Sequence, residues 1–114
     1  MLAPAGSRLL FVAGQIAWDG SQTIVSEQFA EQFGQALTNV LAVVESAGGT
    51  AQHIGSLTIY VTNKSSYLNE LRSVGAVYRK LMGRHYPTMA LVEVSALVEP
   101  KAQVEIQAIA AIPQ

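Results

Sequence analysis

The chain has 114 residues, half of them apolar and only 13% charged, with a net charge of −1. That suits one domain with a single core and gives no electrostatic case for nucleic acid as a main partner. With no cysteine, disulfides, thiolate nucleophiles and Cys-based metal sites are excluded. No apolar stretch reaches the roughly 20 residues of a membrane span. No basic segment precedes an apolar one as in a signal peptide, so the expected compartment is the cytoplasm. An ordinary soluble domain is about 25% charged. The deficit here predicts that much of the outer surface is covered, most simply by further subunits.

Arg8 to Ala17 reads as a buried strand through Leu9, Leu10, Phe11 and Val12, and Asp19-Gly20-Ser21 as a turn. Thr23 to Val25 fits a short strand edge. Ser26 is the expected N-cap of a helix, with Glu27 suiting its dipole. Phe29, Phe33, Ala36, Leu37, Val40, Leu41, Val44 and Ala47 recur at helical spacing, with Gln28, Glu31, Gln32, Gln35, Thr38 and Asn39 on the other face. Gly48-Gly49 ends this helix. Ile54 to Thr62 alternates as a strand, with Leu57, Ile59 and Val61 on one side. Ser65 or Ser66 then caps a second helix, whose stripe is Leu68, Leu71, Val74, Gly75, Tyr78, Leu81 and Met82, and Gly83 stops it. Thr88 to Leu97 and Ala102 to Ile112 are predicted strands joined by Val98-Glu99-Pro100-Lys101, a hairpin-sized connection.

The order strand, helix, strand, helix, strand, strand predicts an α+β two-layer sandwich with two helices on one face of a sheet. The other face carries Glu93, Ser95, Glu105 and Gln107 among apolar neighbours, and the low charge predicts that it is mostly buried against other subunits. His53 and His85 are isolated, with no metal-ligand spacing around them; His85 is at most an accessory proton carrier. Gly48-Gly49 follows a helix and so is no phosphate loop. No nucleophile elbow is visible.

Pro87-Thr88-Met89-Ala90-Leu91-Val92-Glu93-Val94, a loop, and Val104-Glu105-Ile106 together resemble the C-terminal signature of the Rid/YjgF family of imine and enamine deaminases. That signature is Pro, a small residue, Arg, a small residue, a hydrophobic strand, and later hydrophobic-Glu-Ile. Every position agrees except Met89, which stands where the family has arginine. Phe11-Val12-Ala13-Gly14-Gln15-Ile16 is similar to the family's SGQ strand, and Ala36-Leu37-Thr38-Asn39-Val40 to its QALxNV segment. Ala47-Gly48-Gly49 and Tyr60-Val61-Thr62 match as well. Family members carry a further N-terminal segment that helps wall the pocket, whereas here only Met1 to Leu10 precede the SGQ-like strand.

The resemblance implies a chorismate-mutase-like homotrimer, its sheets forming a central barrel and its active sites lying in inter-subunit clefts. It implies a small-molecule imine or enamine as ligand, no cofactor, and Glu105 as the acid that orients or activates the attacking water. The alternative for Glu105 is a strand residue hydrogen-bonded across the trimer. Glu93 is better suited to a structural role at the subunit interface. Gly14, Ala90 and Leu91 are expected to present backbone to the ligand, and Trp18 and Tyr86 to line the cleft. Met89 cannot grip a carboxylate. A charge-assisted bond is worth roughly 1.5–3 kcal/mol, and an unpaired buried carboxylate costs about 3–5 kcal/mol. Either Arg84, in the loop before the strand, replaces the missing cation, or the substrate is less acidic. A non-catalytic binding trimer of the same fold is the competing reading, and a ribonuclease has little support from the charge.

Overall fold

The computed structural model describes residues 1–114. Its elements are β1 (Arg8–Gln15), α1 (Phe29–Ser46), a 3-10 turn (Ala51–His53), β2 (Ile54–Val61), α2 (Lys64–Asn69), α3 (Leu71–Met82), β3 (Thr88–Glu93) and β4 (Val104–Ile112). The strands form one sheet in the order β1-β4-β2-β3. β4 runs antiparallel to both β1 and β2, and β3 runs parallel to β2. The mixed sheet with helices on one face is the α+β architecture expected.

The period-2 alternation of β2 and β4 assigns the faces. Leu57, Ile59 and Val61 sit opposite Ala108, Ile106 and Val104, and all six are buried. They meet Phe29, Phe33, Leu37, Val40 and Val44 of α1 and Val74, Tyr78 and Met82 of α3 in one core. The sheet's opposite face has no helix over it. Phe11 is 70% exposed there and Leu9 61%, with Val92 and Ile109 also exposed.

Several local expectations are corrected. The segment after β3 is no hairpin, because β2 lies between β3 and β4, and a strand parallel to β2 must be joined to β4 by a connection crossing the end of β2. Glu93 pairs with Val61 in the parallel register, which puts it on the helix-covered face and not beside Glu105. Its carboxylate accepts a hydrogen bond from the Lys64 backbone N–H at 2.9 Å, satisfying an otherwise unpaired donor at the start of α2. The second helix is two helices that meet at Glu70. Asn63, not Ser65 or Ser66, caps α2 by accepting from the Ser65 N–H. Glu70 is drawn away to accept from the Ala30 N–H at the start of α1. Ser26 accepts from the Gln28 N–H, just ahead of α1, so it shapes the approach and does not cap the helix. Thr23 to Val25 forms no strand, only an isolated bridge between Trp18 and Ile24.

Gln32 is also misplaced by periodicity alone, being 1% exposed. Its Nε2 donates to the carbonyls of Ser26 and Lys101, and its Oε1 accepts from the Gln103 N–H. The crossing segment before β4 covers it and satisfies it in the same contact. Gln32→Leu leaves three backbone groups without this partner, and the expected loss is about 2–4 kcal/mol. Urea unfolding at unchanged m-value measures it; a loss below about 0.5 kcal/mol would show that water replaces the amide freely.

Candidate functional site

Two regions of the sheet carry the residues singled out from the sequence. The first is on the uncovered face. The register of β1 slips between Val12 and Gln15, a bulge of the kind that bends a strand and re-aims its neighbours. Gly14 sits in that slip, and the Glu105 side chain of β4 lies directly over it. A methyl group added at Gly14 would overlap the carboxyl, standing 2.7 Å from Cδ and 2.9 Å from Cγ of Glu105. Gly14 therefore has a steric reason: only a residue without Cβ lets the carboxyl settle against the backbone of β1. Glu105 pairs across the ladder with Tyr60 and is half-buried.

The second region is a cavity of about 440 Å³ between α3 and the edge strand β3. Met89 and Leu91 form its sheet side, and Tyr67, Val74, Tyr78 and Tyr86 form much of the rest. Met89 is 44% exposed, so this wall is open to whatever enters. Tyr78 and Tyr86 stack with ring centroids 5.3 Å apart, and the Tyr78 hydroxyl donates to the His85 carbonyl at 2.6 Å. Burial pushes the Tyr78 phenol up to about 12, and the neighbouring Tyr86 adds to the rise. At neutral pH Tyr78 is thus a fixed neutral donor. Its O–H is spent on the His85 carbonyl and so holds the loop that carries Tyr86. His85 is committed as well, its Nε2 lying 2.7 Å from the Ile54 carbonyl.

Within one chain the two regions do not meet. Met89 pairs with Leu57 and shares the helix-covered face, whereas Glu105 projects from the other face with β2 between them. Ala90 shares the open face with Glu105, from its position opposite Thr58. Trp18 lies elsewhere, in a shallow depression with Gln15, Asp19, Gln35 and Asn39, and its carbonyl accepts from the Asn39 side chain. Arg84 is exposed in the loop before β3 and is not among the residues lining the Met89 cavity.

Sequence reasoning missed Tyr67 and Arg79 as cavity residues. The stripe of α3 was legible, and Gly75 within it was the available signal. A glycine between Val74 and Tyr78 on the buried side of a helix leaves empty volume where a side chain would otherwise pack.

The sequence matches the family model described as Endoribonuclease L-PSP over residues 4–112. It is 35% identical over 106 residues to the 2-iminobutanoate/2-iminopropanoate deaminase of Salmonella typhimurium, covering 90% of this chain and 78% of that one. The human protein of the same name is 30% identical over 105 residues, with 90% and 72% covered. Among solved structures, the YjgF gene product of E. coli superposes with a TM-score of 0.77 at 31% identity, covering 95% of this chain and 83% of that one. E. coli TdcF with bound serine gives 0.78 at 30% identity, with 95% and 83% covered. With the family model matched over nearly the whole chain and relatives 30–35% identical along 90% of it, this chain belongs to the Rid/YjgF family.

Proposed function

We propose that the protein is an imine or enamine deaminase whose substrate carries no carboxylate beside its C=N carbon. The observation that carries this reading is the Glu105 carboxyl lying over Gly14, both residues standing at signature positions of the family. A half-buried carboxyl beside a backbone free of side chains is suited to hold a water and move one proton. Because an imine is already electrophilic, positioning and one carboxyl that relays protons are enough: water adds to the C=N carbon as one of its protons passes to nitrogen, and the carbinolamine collapses to the carbonyl as the second passes over and ammonia leaves. The 2-iminobutanoate/2-iminopropanoate deaminase name of the relatives supports the reaction type. Met89 supports the departure in substrate: its thioether gives an apolar wall where a carboxylate would need a cation.

The catalytic unit in this reading is a homotrimer. Glu105 and Met89 lie on opposite faces of one sheet, so a site using both is built from two subunits. One subunit contributes its edge strand β3 and the next its open sheet face. The exposed Phe11, Leu9, Val92 and Ile109 support burial of that face, since exposed apolar patches of this kind mark interaction surfaces. The endoribonuclease description of the family model draws little support from a net charge of −1.

Ammonia release from freshly generated 2-aminoacrylate and from a carboxylate-free imine tests the proposal. The wild type is expected to favour the carboxylate-free imine. Met89→Arg is expected to raise turnover of 2-aminoacrylate at least about tenfold, as one charge-assisted pair allows. No release from either imine would leave the non-catalytic binding trimer as the reading. A monomer by light scattering at micromolar concentration would remove the two-subunit site.

A further inference from the structure

Of the eleven residues that line the cavity beside Met89, nine are hydrophobic and one, Arg79, is charged; no acidic residue is among them. Arg79 belongs to the last turn of α3, one helical turn beyond Gly75. A methyl group placed on Gly75 would lie 3.5 Å from the Arg79 Nη1, so the guanidinium is folded back along the helix over the glycine. Gly75 thus opens the cavity and also lets the Arg79 head group lie at its edge. The lean toward the helix N-terminus is the ordinary direction of a helical side chain, and it keeps the exposed guanidinium at the cavity rim, where an anionic group entering the cavity finds a charge-assisted partner.

We infer that Arg79 takes the acidic group of the ligand, and that the ligand is an amphipathic carboxylate. Its apolar or aromatic body fills the space between Met89, Tyr67, Tyr78 and Tyr86, and its acid group lies at the α3 edge. This deepens the proposed function and rests on it: the acid is moved away from the reacting C=N carbon to the far end of an apolar body. The volume of about 440 Å³ falls within the range of about 300–1,000 Å³ typical of small-molecule sites. A planar body suits the cavity, because the Tyr78–Tyr86 stack presents a flat wall and rings prefer offset-stacked or edge-to-face partners. The guanidinium matches a carboxylate in a bidentate fork, which an ammonium does not. Arg84, exposed in the loop, plays no part in this contact.

Calorimetric titration of the full chain with 3-phenylpropionate and with its uncharged amide, 3-phenylpropanamide, tests the assignment. The acid is expected to bind the wild type roughly 10- to 100-fold more tightly than the amide, the worth of one charge-assisted pair. Arg79→Gln should erase that preference and leave the amide's affinity within about twofold, a small change. Arg79→Lys should restore only part of it, and Arg84→Gln should change nothing. Equal affinity of acid and amide for the wild type would overturn the proposal. So would a preference that survives Arg79→Gln, or no binding of either compound. The outcome is separable from the deaminase reading. If no imine is turned over but the Arg79-dependent preference is present, the deaminase reading fails and the ligand assignment stands. If imines are turned over and the preference is absent, the reverse holds. Thermal melts of the Arg79 variants are expected to match the wild type, since this residue is exposed outside the core, and they separate lost binding from unfolding.

Discussion

Glu105→Gln is expected to lower kcat/KM for ammonia release by roughly 10²- to 10⁴-fold, the range a positioned general acid–base group supplies. The amide keeps the shape and the hydrogen-bonding reach of the carboxyl but cannot accept and return a proton. The loss should therefore appear mainly in kcat, with little change in KM, as for an interaction made in the transition state. Stability should change by less than about 1 kcal/mol, since Glu105 is half-buried on the uncovered face and no core contact is removed. The measurement is a steady-state ammonia assay on whichever imine the wild type turns over best. A rate within threefold of wild type would remove Glu105 from the chemistry and leave it as a residue of the subunit interface.

Gly14→Ala should have nearly as large a kinetic effect for a different reason. The added methyl would occupy the place where the Glu105 carboxyl rests. A carboxyl at the end of a flexible side chain can swing aside, so the folded state should lose less than about 1 kcal/mol. Displacement by an ångström or so is enough to cost about 10²-fold in rate when catalysis depends on positioning. The double variant Gly14→Ala/Glu105→Gln should be no slower than Glu105→Gln alone, because both changes remove the same contribution. Multiplying losses in that double variant would mean that Gly14 acts on the substrate directly and not through Glu105.

The two predictions separate what each residue does. Glu105 is assigned the proton, and Gly14 is assigned the place where that proton is held. Met89 and Arg79 belong to the other side of the sheet and concern what the site accepts, so their variants should redistribute substrate preference without the uniform loss expected at Glu105.

The sequence by itself determined the α+β class, the long helix over Phe29–Ser46, the faces of β2 and β4, and the family. Each of these rests on information carried within a few residues of chain: period 3.6, period 2, or a contiguous signature. The family likeness also put Gly14 and Glu105 among the site residues, with Gly14 expected to bring its backbone close to a ligand, but nothing in the sequence said that the two touch. Only the tertiary structure supplied that contact, because it joins residues far apart in the chain through a bulged strand. It also decided the face of Glu93, since a parallel register with β2 cannot be read from β3 alone. Gln32 looked like an outer polar residue of α1 until a distant segment crossed over it and used its amide. Arg79 was one more helix-surface cation until Gly75 was seen to leave the space beside it. In each case the deciding partner lies well outside any helical or strand repeat, where local periodicity carries no information.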